Sequence, residues 1–453
     1  MSEKRPLVVT RSLLRGSIAR ASADSLSMVL GAVSGIVSAR MLGPSGKGTL
    51  ASLSFLIAAL AQLCSVGLGD AAIVLVGKGV SSLERALSAT VAILPVLAIT
   101  ACCLTLSAAA LQFYDGSGRS RTLILVAGVS APLSLFVSVL TYFLKAQNRI
   151  GAASAVLLLN SALSTIGLTF FLALISRSVA GGLLGSALAS ALTLVIVISL
   201  LTRGGLRISG SFDRTYIRPA LRVGGAMQFS YVLTNLAARL DLLFVLALLG
   251  ADAAGQYSVA LTLAGLVVLL PFGISYSSFP RLAYSSDGEA RILAARICRL
   301  AVAASLLSAV VIAILTPTAI YGLFGSSYSP AIAPTLILIA AGVGTSFQWV
   351  LARAAASRGD TRLLVRSFAG SLVVMSVLDF LLIPHFDLVG AAVSALCGSL
   401  VGAGICLWFK SSVVPKGLGL GVFPRTADFW YLLALPFHFL QPLLREKHFR
   451  SQP

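Results

Sequence analysis

Apolar runs of about 20 residues follow one another along nearly the whole chain, each closed by charges or by Gly and Pro turn signals. A run of that length crosses the hydrocarbon core of a bilayer as a single α-helix. The runs predict spans at 22–41, 50–69, 87–111, 122–144, 151–175, 180–201, 223–249, 255–280, 292–316, 331–352, 364–384 and 388–409, twelve in all. The longest polar break, 202–222, separates them six and six. The expected fold is therefore all-α: a polytopic membrane protein with twelve transmembrane helices in two homologous six-helix bundles. The halves would be 1–205 and 223–410, joined by a linker at 206–222 and followed by a tail at 411–453.

Ahead of the first span, residues 1–21 are basic and moderately apolar. They read as a partly amphipathic leading helix rather than a signal peptide, because no small-residue cleavage pattern follows. In the tail, 427–443 is aromatic and apolar but short and split by Pro436, which suits an interfacial or re-entrant segment better than a thirteenth span.

Three pairs of segments repeat between the halves at offsets close to 205–211 residues. The stretch from Ala39, ARMLGPSGKGTLASLSFLIAAL, matches the one from Leu246, LALLGADAAGQYSVALTLAGLV, in a Leu-Gly step, a short linker and a second Gly before the next helix. The stretch from Phe143 echoes the one from Ala354, and Gly182–Leu192 echoes Val389–Leu400. An even number of spans per unit gives both units the same orientation. Parallel repeats of this kind are typical of transporters with a substrate site between the units.

Composition agrees with the pattern: 57% of the 453 residues are hydrophobic and 11% charged, against about 25% charged in an ordinary soluble domain. A net charge of +19 raises the question of nucleic acid, but the basic residues stand at span ends and form no patch. They report topology instead. With both termini on the cytoplasmic side, 28 Lys and Arg fall on that side and 5 (Arg40, Lys47, Arg119, Arg121, Arg177) on the other, leaving Arg239 inside a span. Six cysteines in apolar segments read as small packing residues, and three scattered histidines make no metal cluster. The far loops are too short to hold an external catalytic domain.

An ionisable side chain at the centre of a membrane helix costs roughly 2.5–3.5 kcal/mol on the insertion scale, so it is a functional candidate by default. Asn235–Ala260, NLAARLDLLFVLALLGADAAGQYSVA, carries two such residues, Arg239 and Asp241. They lie about 200° apart around the helix axis and so face different neighbours. Asp379, in the eleventh span, is the other carboxylate deep in the second half. Asp24 reads as a helix cap, and Asp70, at the end of the second span, is expected at the membrane surface.

The elements ARMLGP…GKGTLA, LDLLFVLALLGADAAGQYSVA, the Pro271–Pro280 segment ending PRLA, and LLIPHFDLVGAAVSA resemble the polysaccharide (O-antigen-type) flippases of the multidrug/oligosaccharidyl-lipid/polysaccharide exporter superfamily. The resemblance spans about residues 15–410. It implies a polyprenyl-diphosphate-linked oligosaccharide as cargo, moved by alternating access in cell-surface polysaccharide (O-antigen, lipopolysaccharide) biosynthesis, with no bond made or broken. It also implies a bacterial cytoplasmic (inner) membrane location, membrane lipid and other polysaccharide-assembly membrane proteins as partners, and no nucleic acid.

On that reading Arg239 is the first choice for a cavity cation, with Asn235 one turn before it, and Arg20 and Arg40 are weaker candidates for the same cavity. For Arg40 a topology anchor is the favoured role. Asp241, Asp379 and Ser394 correspond by resemblance to a sodium site in some relatives, so the coupling ion would be Na+ or H+ with no other cofactor. Met375 stands where a polar ligand is expected. The competing readings are a cation-coupled multidrug exporter of the same superfamily and, more remotely, a membrane polysaccharide polymerase or ligase. The basic Arg239 argues against the first, and the short loops against the second.

Overall fold

The computed structural model describes residues 5–114, 116–207, 209–275, 287–356 and 362–409, and positions 424, 428 and 429; side chains are described from residue 22 on, except 226 and 287–291. Every regular element among them is a helix. That is the expected outcome where hydrocarbon cannot hydrogen-bond an exposed backbone.

Among the described residues, ten helical stretches are long and apolar enough to cross a membrane, and two of these are broken internally. One break is at Gly43 (φ 69°, ψ −178°) and the other at Asp387 (φ 49°, ψ −133°), so twelve helices result. We number them α1 (5–42), α2 (44–64, then Leu68–Gly77), α3 (Leu83–Phe113), α4 (Gly118–Ala146), α5 (Ile150–Phe170 with a π-turn to Ile175) and α6 (Val179–Arg203). The second half has α7 (Arg214–Leu249), α8 (Ala251–Ala264, continuing to 275), α9 (Asp287–Ala319 with a π-turn to Phe324), α10 (Ile332–Ala356), α11 (362–386) and α12 (388–408). The face where α1 begins and α12 ends is called the start face below, and the opposite one the far face.

The repeat is visible in the backbone itself. Gly43 ends α1 at φ 69°, ψ −178°, and Gly250 ends α7 at φ 87°, ψ −176°. A side chain is strongly disfavoured at these dihedrals, which is why Leu-Gly punctuates both halves. Pro44 follows as the first residue of α2, where its missing N–H has no helical partner to lose.

Two positions differ from the sequence reading. α7 starts at Arg214, so the linker is shorter than 206–222. Arg214, Arg218 and Arg222 share one exposed face, while Tyr216, Ile217 and Ala220 are buried in the hydrophobic core of the first half. The charges that suggested a loop are thus the wet face of an amphipathic turn. Asp70 is also not at the surface: α2 breaks at Val66 and Gly67, and Asp70 is buried in the first turn of its second segment. The tail segment 427–443 lies outside the described residues apart from 428 and 429, and Asp428 reaches Arg299 at 3.4 Å.

The halves meet at both faces. On the far face, the Tyr328 hydroxyl donates to the Ala39 carbonyl at 3.1 Å, and Gly48 and Gly255 each lie against the turn of the other half. On the start face, Gln228 bridges to Gln62 and Ser65 (3.2 Å each), Gly67 abuts Gly224, and Arg85 pairs with Asp213. Between these contacts a cavity opens between the halves.

Candidate functional site

The space between the halves is a chamber of about 720 Å³, walled chiefly by α1, α2, α7 and α8. Its described lining includes two cations, Lys47 and Arg239, several Ser and Thr hydroxyls, and the amides of Gln62 and Asn235. It includes no carboxylate.

Arg239 reaches the chamber because the break at Gly250 fixes the register of α7. Its side chain is open to the cavity, and it makes no hydrogen bond or ion pair with the described residues. Asn235, one turn earlier, lines the same wall. Asp241 points elsewhere, as its place on the helix requires, and leaves the guanidinium to the chamber.

The sequence places Lys47 among the far-side loop charges, and the structure corrects this. Because α2 begins immediately at Pro44, Lys47 falls on its first turn, facing inward, where Nζ donates to Ser38 Oγ at 3.1 Å. It is buried and within electrostatic reach of Arg239. Gly48, next to it in GKG, is the sequence signal: without a side chain there, the Ala251 carbonyl of the other half approaches closely.

Arg40 does not enter the chamber. Its guanidinium donates to the carbonyls of Gly322 and Leu323 (2.8 Å to the latter), at the π-turn that ends α9. It caps a helix of the other half through the carbonyls a helix leaves unpaired at its end. The side chain of Arg20 lies outside the described residues.

The three oxygen residues expected to hold an ion come together inside the second half. Asp241 is buried on α7; Oδ2 accepts from the Tyr257 hydroxyl at 2.6 Å and Oδ1 from the Leu242 N–H at 2.8 Å. Asp379 on α11 is fully buried, within electrostatic reach of both Asp241 and Tyr257, and neither of its oxygens has a hydrogen-bond partner among the described residues. The Ser394 hydroxyl stands beside it but donates to the Gly390 carbonyl at 2.9 Å. The phenolic proton of Tyr257 therefore serves Asp241 alone, and Asp379 has no donor among the described residues.

Burying an uncompensated carboxylate is prohibitive, so this cluster needs a cation or a proton to complete it. Its donors, Asp241, Asp379 and Ser394, are all oxygens, the chemistry that suits a hard monovalent cation. Met375 is buried close by and offers none. Tyr257 escaped the sequence reading because nothing in its local pattern marks it; only the fold brings α8 against α7.

A second chamber of about 350 Å³ lies within the second half and shares Asn235, Ala238 and Arg239 with the first. Asp241 lines it, and Asp379 does not.

The family model described as "Polysaccharide biosynthesis protein" matches residues 13–286. No curated protein sequence gives a match. Among solved structures, the chain is similar to a multidrug resistance MATE family transporter of the MOP superfamily in its inward-facing conformation, at TM-score 0.72 and 17% identity, covering 88% of this chain and 98% of that one. The outward-facing conformation of such a transporter gives TM-score 0.66 at 18% identity, covering 89% and 95%. A MOP superfamily transporter from Pyrococcus furiosus, described by the reverse polarity of its binding pocket, gives 0.60 at 16%, covering 89% and 95%. These likenesses establish the fold, twelve helices in two bundles.

Proposed function

We propose that this chain, which belongs to the polysaccharide biosynthesis protein family, carries a polyprenyl-diphosphate-linked oligosaccharide across the bacterial cytoplasmic membrane by alternating access. The observation that carries this reading is the lining of the central chamber: Lys47 and Arg239 together, hydroxyls and amides around them, and no carboxylate among the described residues. A diphosphate brings two or more negative charges and many acceptors. Stripping its water in hydrocarbon is prohibitive, and a chamber with fixed cations replaces that water. The guanidinium offers a bidentate grip and the ammonium a point charge. The prenyl chain can remain in lipid throughout.

Organic cations, the cargo of the competing exporter reading, would meet two like charges here and no anion. The polymerase or ligase reading calls for an external catalytic domain, and the far-side loops of the sequence are too short to hold one. Reorientation is driven, on this proposal, by an ion at Asp241, Asp379 and Ser394, since an ion moving inward supplies roughly 2.3 kcal/mol per charge per 100 mV. Both termini then face the cytoplasm, as the distribution of basic residues favours.

The test is translocation in proteoliposomes of lipid-linked oligosaccharide extracted from the source cells, comparing the parent with K47Q/R239Q. We expect the double variant to lose at least about tenfold in rate, as losing charge-assisted hydrogen bonds demands. Equal rates would rule out the two cations as the diphosphate grip.

A further inference from the structure

The second-half chamber has a wall that the translocation of a bare diphosphate does not use. Gln348 on α10 is buried; its Oε1 accepts from the Ser371 hydroxyl at 3.3 Å, while its Nε2 has no partner among the described residues. The single hydroxyl proton of Ser371 is directed chiefly at the Gly398 carbonyl, 2.7 Å away, so one end of the Gln348 amide rests against Ser371 and the other end is unpaired among the described residues. Next to Gln348, Trp349 is half-buried and wedged edge-on between Phe272 (centroids 5.2 Å apart) and Phe368 (5.4 Å). The Arg353 guanidinium stacks over the same indole at 5.0 Å. An oriented amide with an unpaired donor thus stands beside a clamped aromatic plane in a cavity of about 350 Å³.

We infer that this chamber is a subsite for an uncharged sugar ring of the cargo. The inference rests on the diphosphate reading of the central chamber, because the two spaces adjoin at Asn235 and Arg239. A pyranose presents what the wall lacks: hydroxyl oxygens to accept from Gln348 Nε2, and a C–H face to lie on the indole. An anionic group belongs at Arg239, where it has a charge partner. A prenyl chain would fill the aromatic side but leave the buried amide donor unpaired, which a hydroxyl-bearing ligand repairs. Polar groups so placed also discriminate, since a ligand without the matching hydroxyl leaves them unsatisfied. Gln348 and Trp349 therefore act in selecting the glycan, and Arg239 in holding the diphosphate that every cargo shares.

The experiment uses the full chain in lipid nanodiscs and two probes: undecaprenyl diphosphate bearing no sugar, and the lipid-linked oligosaccharide extracted from the source cells. Gln348→Leu is nearly isosteric and removes a buried unpaired amide, so the unliganded fold should persist; Trp349→Leu is the second variant. We expect both to weaken binding of the glycosylated probe by about tenfold and leave the sugar-free probe within twofold, whereas Arg239→Gln weakens both probes. Equal weakening of both probes by Trp349→Leu would place the prenyl chain in this chamber and overturn the inference. Unchanged binding of the glycosylated probe in both variants would do the same. If the parent binds neither probe, the diphosphate reading itself fails, and the subsite with it.

Discussion

Gly48 and Gly255 are reciprocal partners across the far face. A Cβ on Gly48 would lie within the van der Waals envelope of the Ala251 carbonyl oxygen, and a Cβ on Gly255 within that of the Pro44 carbonyl. Each glycine lies five residues after the turn glycine of its own half (Gly43 or Gly250), and each packs on the residue that follows the turn glycine of the other half. The contact is backbone on backbone, so no side-chain rotation can relieve an added methyl.

This relationship predicts that Gly255→Ala or Gly48→Ala loosens the far-face closure. A cysteine placed at Ala51, in the chamber wall below the contact, reports it in a Cys103→Ala background. We expect its labelling by a membrane-impermeant thiol reagent from the far side to speed up several-fold in either glycine variant. An unchanged rate would show that the glycine contact is not the seal.

Lys47 depends on Ser38 for its direction into the chamber. Losing one such hydrogen bond costs about 1 kcal/mol, or roughly fivefold in affinity. We therefore expect Ser38→Ala to weaken undecaprenyl diphosphate binding about fivefold, and Lys47→Gln to weaken it more. Isothermal titration of the full chain in nanodiscs measures both.

Asp379 is the one of the two carboxylates with no hydrogen-bond partner among the described residues, so it is where an added cation or proton has most to gain. Asp379→Asn should leave diphosphate affinity within twofold and abolish the dependence of transport on a sodium or proton gradient. Counterflow in the absence of any gradient should persist. Gradient-driven uptake equal to the parent's would remove Asp379 from ion coupling. Tyr257→Phe, which deprives Asp241 of its 2.6 Å donor, should alter the ion dependence without abolishing it.

Arg40 supports closure and not binding. Arg40→Gln should leave affinity for undecaprenyl diphosphate unchanged, because its donors are spent on the Gly322 and Leu323 carbonyls. Losing that cap should nevertheless slow transport, and the comparison of Kd with transport rate separates the two effects.

Outside the spans, the hydrogen bond from the Arg85 guanidinium holds the Asp213 carboxyl well below the usual carboxylate range, with Thr215 adding to it. A carboxylate whose folded pKa is depressed contributes stability above its unfolded value, about 3.9, and loses it only as pH falls through the folded value. Asp213→Asn should accordingly lower thermal stability slightly at pH 7, and the difference from the parent should shrink only below about pH 4. A difference that vanishes already at pH 6 would contradict this pairing.

The sequence by itself determined the number of helices, their grouping into two halves, and the glycines that end α1 and α7. Those features are local: an apolar run long enough for the bilayer forms a helix wherever it occurs, and only glycine takes φ near 69° or 87° cheaply. The cost of a charge in lipid is local too, which is why Arg239, Asp241 and Asp379 stood out from composition alone. What the charges face is not local. Lys47 looked like a loop residue, and Arg40 was weighed as a cavity cation, until packing between the halves turned the first into the chamber and the second onto the end of α9. Tyr257 and Gln348 carry no charge for the membrane to penalise, so only the tertiary structure, by setting α8 on α7 and α10 on α11, decided their partners. The same packing made the start of α7 a helix: its three arginines needed a wet face, and its Tyr216, Ile217 and Ala220 needed the first half to cover them.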